Sequence, residues 1–122
     1  MGVFINFSNH PSSKWSKEQI DAALKYGALV DVEFPKVNPA ATEEDIKVLG
    51  DECVKKILSL SPNIVMCQGE FTLTYYVVDR LKENGVQCVS ACSERVAEEH
   101  KAEDGTLIKS SIFKFVSFRS YI

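Results

Sequence analysis

The sequence lacks a long apolar run at its N-terminus. The stretch Val3-Phe4-Ile5-Asn6-Phe7 has no basic segment ahead of it and is far too short for a signal peptide or a membrane span. A membrane partner is therefore not expected, and the expected location is the cytoplasm. A cationic excess is missing too: 14 Lys and Arg stand against 17 Asp and Glu, for a formal net charge of -3. Duplex nucleic acid needs a basic face, so that class of partner is set aside, whereas a small anion held by one or two local cations remains compatible. There is no Walker A loop and no G-x-G-x-x-G fingerprint. The four cysteines, Cys53, Cys67, Cys88 and Cys92, form no C-x-x-C pair, which argues against zinc. Neither Cys67 nor Cys92 is followed by an arginine at the spacing of a phosphatase loop, so a thiol nucleophile is not expected. In a cytoplasmic chain all four are expected to be free thiols, with Cys67 and Cys88 on buried strands. No metal and no cofactor is predicted.

What is present suits one core. At 122 residues, 45% hydrophobic and 25% charged, the chain is long enough to bury its own interior and has no repeat, linker or low-complexity tract. The order of elements starts with a strand, Val3 to Phe7, and a turn-forming cluster, Ser8 to Ser13. Ser16 then reads as an N-cap with Gln19 in the capping-box position, and Gly27 stops that helix. Ala28 to Phe34 is a second strand, and Thr42 with Asp45 opens a second helix carrying Ile46, Leu49, Cys53 and Ile57. Ile64 to Cys67 is apolar on both sides, as in an interior parallel strand. A helix from Thr72 to Asn84, capped by Gly85, leads to a fourth strand, Val86 to Ala91. Asp104-Gly105 then sits between two extended runs, Arg95 to Lys101 and Thr106 to Phe118, which is a hairpin signal.

The pattern predicts an α/β fold of Rossmann-like type: a mainly parallel sheet of about four strands with flanking helices and a C-terminal antiparallel β-hairpin. It forms a single domain, with βα units over residues 1–92 and the hairpin over 93–122. The aromatic density of the hairpin fits either core packing or the interface of a homodimer, and a homodimer is expected.

Open parallel sheets gather ligands outside the carboxyl ends of their strands. Three loops are predicted there: Ser8 to Trp15, Gln68 to Thr72, and Cys92 to Arg95. In the first, His10 can move protons near neutral pH, Lys14 can pair with phosphate and Trp15 can stack on a base, beside Ser8, Asn9 and Ser12. The alternative is that His10 only shapes a turn and Trp15 packs as a hydrophobic staple. In the second, Gly69 permits close backbone approach, and Thr72 can cap a helix whose free N–H groups suit an anion, with Gln68 alongside. Glu70 opposes an anion there unless it turns away, binds a ribose hydroxyl or pairs with Arg95, and an ordinary strand-to-helix turn explains the same residues. In the third, Ser93 and Arg95 can reach the same edge, Arg95 for bidentate phosphate recognition. A surface ion pair between Glu94 and Arg95, or an arginine facing solvent at the start of a strand, explains the same residues.

The run Phe7-Ser8-Asn9-His10-Pro11, followed by Trp15, resembles the start of several small CRISPR-associated proteins of type III systems, in which a first strand enters a Ser-x-His-Pro or Ser-His-Pro turn. A comparable strand-glycine-helix stretch spans Ile64 to Thr72. Those proteins are similar in fold to Rossmann-fold sensor domains that bind cyclic oligoadenylate, usually as dimers, and some degrade it as ring nucleases. The resemblance implies a role in antiviral defence and a cyclic oligoadenylate ligand. On it, catalysis falls to His10 as acid or base and Lys14 on phosphate, without metal, and the ligand contacts fall to Ser8, Asn9, Ser12, Trp15, Gln68, Gly69, Thr72, Ser93 and Arg95. The chain departs from those domains at Gly69-Glu70-Phe71-Thr72, where small or basic residues are more typical. Two other functions fit the same residues: a non-catalytic module that binds or sequesters a nucleotide, and a structural protein that works through its hairpin.

Overall fold

A computed structural model describes residues 2–122. The elements run β1 (Gly2–Ser8), a 3-10 turn (Ser12–Lys14), α1 (Lys17–Leu24), β2 (Gly27–Glu33), α2 (Glu43–Ser59), β3 (Ile64–Gln68), α3 (Phe71–Glu83), β4 (Gln87–Lys101) and β5 (Leu107–Ser120). They build one five-stranded sheet in the order β2-β1-β3-β4-β5, parallel from β2 to β4 and antiparallel between β4 and β5. This is the Rossmann-like α/β fold expected, with the hairpin added to the sheet as its last two strands.

Alternation along the strands divides the interior in two. Ile5, Phe7, Val65, Cys67 and Cys88 face α2 and α3 and pack on Val54, Ile57, Leu73, Val77 and Leu81. Phe4, Ile64, Met66 and Val89 face the other way, onto Ala23 of α1, with Trp15, Leu29 and Phe118 at the margin. The helix starts follow their capping chemistry. Thr42 and Asp45 close a full capping box, Thr42 Oγ1 accepting from the Asp45 N–H at 3.2 Å and Asp45 Oδ2 from the Thr42 N–H at 3.0 Å. Ser16 accepts from the Gln19 N–H at 3.3 Å, but the Gln19 side chain goes instead to the sulfur of Met66 at 3.8 Å. Gly85, at φ +77°, ends α3 in the left-handed region, as expected of that glycine. Gly50 has a packing role that propensity alone does not show. A Cβ there would lie 2.3 Å from the ring of Tyr76, so the glycine lets α3 approach α2.

The fourth strand differs most from expectation. No loop separates it from the hairpin: β4 runs straight through Cys92, Ser93 and Arg95 to Lys101. It pairs with β3 only at Gln87, Cys88 and Val89, but with β5 all the way to Lys101. The polar run Ser93-Glu94-Arg95 reads as a loop because it has left the buried sheet, yet β5 continues to satisfy its backbone. Beyond Ser93 the two strands form a free ribbon. Its tip is a three-residue turn in which the Gly105 N–H donates to the Ala102 carbonyl at 3.0 Å and Gly105 takes φ +85°. At its root the pairing skips Val116, with Cys92 opposite Ser117 and Ser93 opposite Phe115. This bulge places Phe115 and Phe118, three residues apart, on one face, with ring centroids 4.9 Å apart. Phe118 packs on Phe4 at 5.0 Å, so the core reading holds for the root, while Phe113, Leu107 and Val116 are exposed.

Candidate functional site

The order β2-β1-β3-β4 reverses direction between β1 and β3, so the loops leaving those two strands diverge and open a crevice at their carboxyl ends. His10 and Gln68 stand in it and divide it into two clefts. On the α1 side, a space of about 400 Å³ is bounded by the β1–α1 loop and the hairpin root, with Ser8, His10, Lys14, Trp15, Gln68 and Ser93 in its walls and Phe113 and Phe115 opposite. On the α3 side, a space of about 370 Å³ lies among Asn9, His10, Gln68, Gly69, Thr74 and Ser90, with Phe71 and Tyr121 at its edge.

The β1–α1 loop is held from below by a polar network, buried at Asn6 and Ser8 and exposed at Asp31, that sequence reading missed. Asn6 is fully enclosed in the sheet beside its β2 partner Asp31. Its Nδ2 donates to the His10 carbonyl at 2.8 Å and to Asp31 Oδ1 at 3.1 Å. The Ser8 hydroxyl donates to Asn6 Oδ1 at 2.6 Å and accepts from the His10 N–H at 3.2 Å. Asp31 Oδ2 accepts from both the N–H and the hydroxyl of Ser12, each at 3.1 Å. Trp15 Nε1 donates to the same His10 carbonyl at 3.2 Å. The signal was visible as Asn6 and Asp31, each interrupting an apolar strand.

This network corrects several expected roles. Ser8, Ser12 and the indole N–H of Trp15 spend their hydrogen bonds on the loop itself. The Trp15 ring packs edge-on against Phe4 at 6.3 Å and lies 6.3 Å from Phe118, so it braces the loop on the core. What the network presents is His10: its backbone is fixed, while its imidazole is exposed and makes no hydrogen bond among the described residues.

The β3–α3 turn is corrected as well. Glu70, not Thr72, caps α3. Its carboxylate accepts from the Thr72 N–H at 3.0 Å and the Leu73 N–H at 2.9 Å, and the Thr72 hydroxyl donates to it at 2.7 Å. The Leu73 N–H and then Thr72 hold the Glu70 carboxyl below its ordinary value. The helix end that was to receive phosphate is thus occupied by the chain's own anion, and Thr72 with it. Gly69 is explained by packing, since a Cβ there would lie 2.5 Å from the ring of Phe34. Gln68 Oε1 accepts from the Ala91 N–H, tying β3 to β4, and the residue lines both clefts.

Ser93 reaches the α1-side cleft from a strand. Arg95, opposite Phe113 on the ribbon, lies outside both clefts, and of the alternatives considered neither a pairing with Glu70 nor an ion pair with Glu94 forms among the described residues. The four cysteines are unpaired. Burial pushes the Cys67 thiol far up and the Cys88 thiol up to about 11, which makes them poor nucleophiles. Thr74 Oγ1 is buried without a conventional hydrogen-bond partner and has the Cys67 thiol, a weak donor, beside it. Among the described residues no three His, Cys, Asp or Glu side chains gather as a metal site, and no helix is long and apolar enough to cross a membrane.

Fold and topology together define a Rossmann-like domain with a crevice at the β1–β3 switch point and a hairpin arm beside it. The chain belongs to the uncharacterized protein MJ1673 family, whose family model matches residues 2–119. No curated protein and no solved structure gives a significant match.

Proposed function

We propose that this protein binds a small anionic nucleotide in the α1-side cleft, with cyclic oligoadenylate as the first ligand to try. One observation carries the reading: Lys14 and the free imidazole of His10 face the aromatic pair Phe113 and Phe115 across about 400 Å³, a volume in the range of small-molecule sites. A base has rings to stack on, and a phosphate has one cation and two N–H donors, from His10 and Gln68. Binding is favoured over turnover, because no carboxylate or other group orients the His10 ring as a general base requires. Turnover, if it occurs, is attack of a ribose 2′-hydroxyl on its neighbouring phosphate. That step forms a cyclic 2′,3′-phosphate and releases a 5′-hydroxyl, with His10 carrying the proton.

Trp15 is the only tryptophan and lines the cleft, so its fluorescence reports occupancy directly. Titration with cyclic tri-, tetra- and hexa-adenylate, AMP and ATP is expected to give saturable binding for at least one. Lys14→Ala should weaken it about tenfold at low salt and less at high salt. Chromatography of the ligand after incubation, with and without chelator, separates binding from cleavage. Absence of binding up to millimolar ligand, or affinity untouched by Lys14→Ala, overturns the proposal.

A further inference from the structure

The ribbon beyond Ser93 carries apolar side chains on both faces. On the face continuing the α3 side of the sheet, Val96 lies opposite Ile112 and His100 opposite Ile108, interleaved with Glu94 and Glu98. Ile108 and Ile112 are exposed, and no element of the chain covers them. Two-stranded ribbons are marginal in water by themselves, so this one requires a cover. A second uncovered apolar surface lies on the same side of the molecule. Phe71 and Tyr75 of α3, 89% and 74% exposed, border with Ile122 a groove of about 410 Å³ that also presents Asp79 and Lys82.

We infer that the ribbon face of one copy docks in the α3 groove of a second copy, and reciprocally, as a two-fold dimer. Charge supports this occupant. Glu94 and Glu98 of the ribbon complement Lys82 of the groove, and Lys114 complements Asp79. Direct pairing of two β5 edges is disfavoured, because Lys109, Lys114 and Arg119 are the only charged residues on that strand and all are cationic. The same contact covers both uncovered surfaces and roofs the α3-side cleft, since Phe71 belongs to the groove and to that cleft. The dimer contributes a wall the single chain lacks. It does not depend on the nucleotide reading, and it is tested without ligand.

Sedimentation of the full chain at micromolar concentration is expected to show a dimer. Tyr75→Asp in the groove and Ile112→Asp on the ribbon should each weaken it by about 100-fold or more. Their equimolar mixture should recover a dimer, because one intact ribbon–groove contact remains. Arm-to-arm pairing cannot give that recovery. Both substitutions are at exposed positions, and circular dichroism checks that each variant is folded. Should either unfold, Lys82→Glu and Glu98→Lys take their place: each alone weakens the dimer and the double variant restores it. A monomeric native chain, a Tyr75→Asp variant that dimerises like the parent, a mixture that stays monomeric, or charge variants without mutual rescue overturns the inference.

Discussion

In β1 and β3 every residue from Phe4 to Ser8 and from Ile64 to Cys67 is buried, whereas in β5 only Phe115 and Phe118 escape full exposure between Leu107 and Ser120. The strands share one sheet and equally regular hydrogen bonding, so backbone pairing is not what separates them. The difference is cover. The parallel strands are closed on both faces by helices drawn from their own crossovers, as parallel topology requires. The hairpin needs no crossover, so it grows outward with nothing of its own above or below. One region is covered within the single chain; the other is left exposed on both faces.

Core and ribbon substitutions should separate these regions most widely. Phe4→Ala removes a fully buried ring that contacts Trp15 and Phe118, and should cost about 3–5 kcal/mol in denaturant unfolding. Phe113→Ala, 76% exposed, should stay within about 0.5 kcal/mol when measured on dilute protein. Equal costs would mean that the ribbon belongs to the same cooperative unit as the core.

Next in size is Asn6→Ala, which removes one hydrogen bond each from the Ser8 hydroxyl, the His10 carbonyl and Asp31 at the buried centre of the network. A loss of about 1–3 kcal/mol is expected, with protease cleavage accelerated within residues 9–15 and not in the ribbon. Cleavage confined to the ribbon in both proteins would show that the network does not hold the loop.

Gly50→Ala sets two effects against each other. Helix propensity gains up to about 1 kcal/mol, and the clash with Tyr76 costs about 1–3 kcal/mol, so net destabilisation near 1 kcal/mol is expected. A stabilised variant would mean that α2 and α3 separate easily.

The smallest effect belongs to Glu70→Ala, about 0.5 kcal/mol near neutral pH, because the cap is exposed and screened. The folded-state pKa is lowered from its ordinary 4.5, so the stabilisation is present above that value and is lost as pH falls through the lower folded value. Melting curves of parent and variant should therefore begin to converge below about pH 4.5 and meet only below the lowered folded value. A gap that persists in acid would show that the carboxylate is not the cap.

The parallel half was legible because each of its signals is local: apolar runs, Thr42 with Asp45, Gly85 after α3; the hairpin tip at Asp104-Gly105 was legible for the same reason. The misread parts depend on partners far away in sequence. Ser93 to Arg95 looks like a loop until β5, some twenty residues on, supplies its hydrogen bonds. Thr72 is the better cap by propensity, yet Glu70 reaches two N–H groups from two residues before the predicted boundary. The crevice was legible through topology, and His10, Lys14 and Gln68 were found where the strand ends put them. Asn6 with Asp31 was not found, since a polar residue inside a strand declares its partner only once β1 and β2 are in register.

The bulge at Val116 makes the arm unusual toward changes in length. Cys92 stays opposite Ser117 and Ser93 opposite Phe115 whether or not Val116 stands between them, so deleting that one residue closes the ladder without reassigning any cross-strand partner. A single deletion at Ser110 or Lys114 would instead turn every side chain on one side of it to the other face. Val116 is thus the one place on β5 where a residue can be lost with both faces of the ribbon kept, changing the bend of the arm and leaving its composition as written.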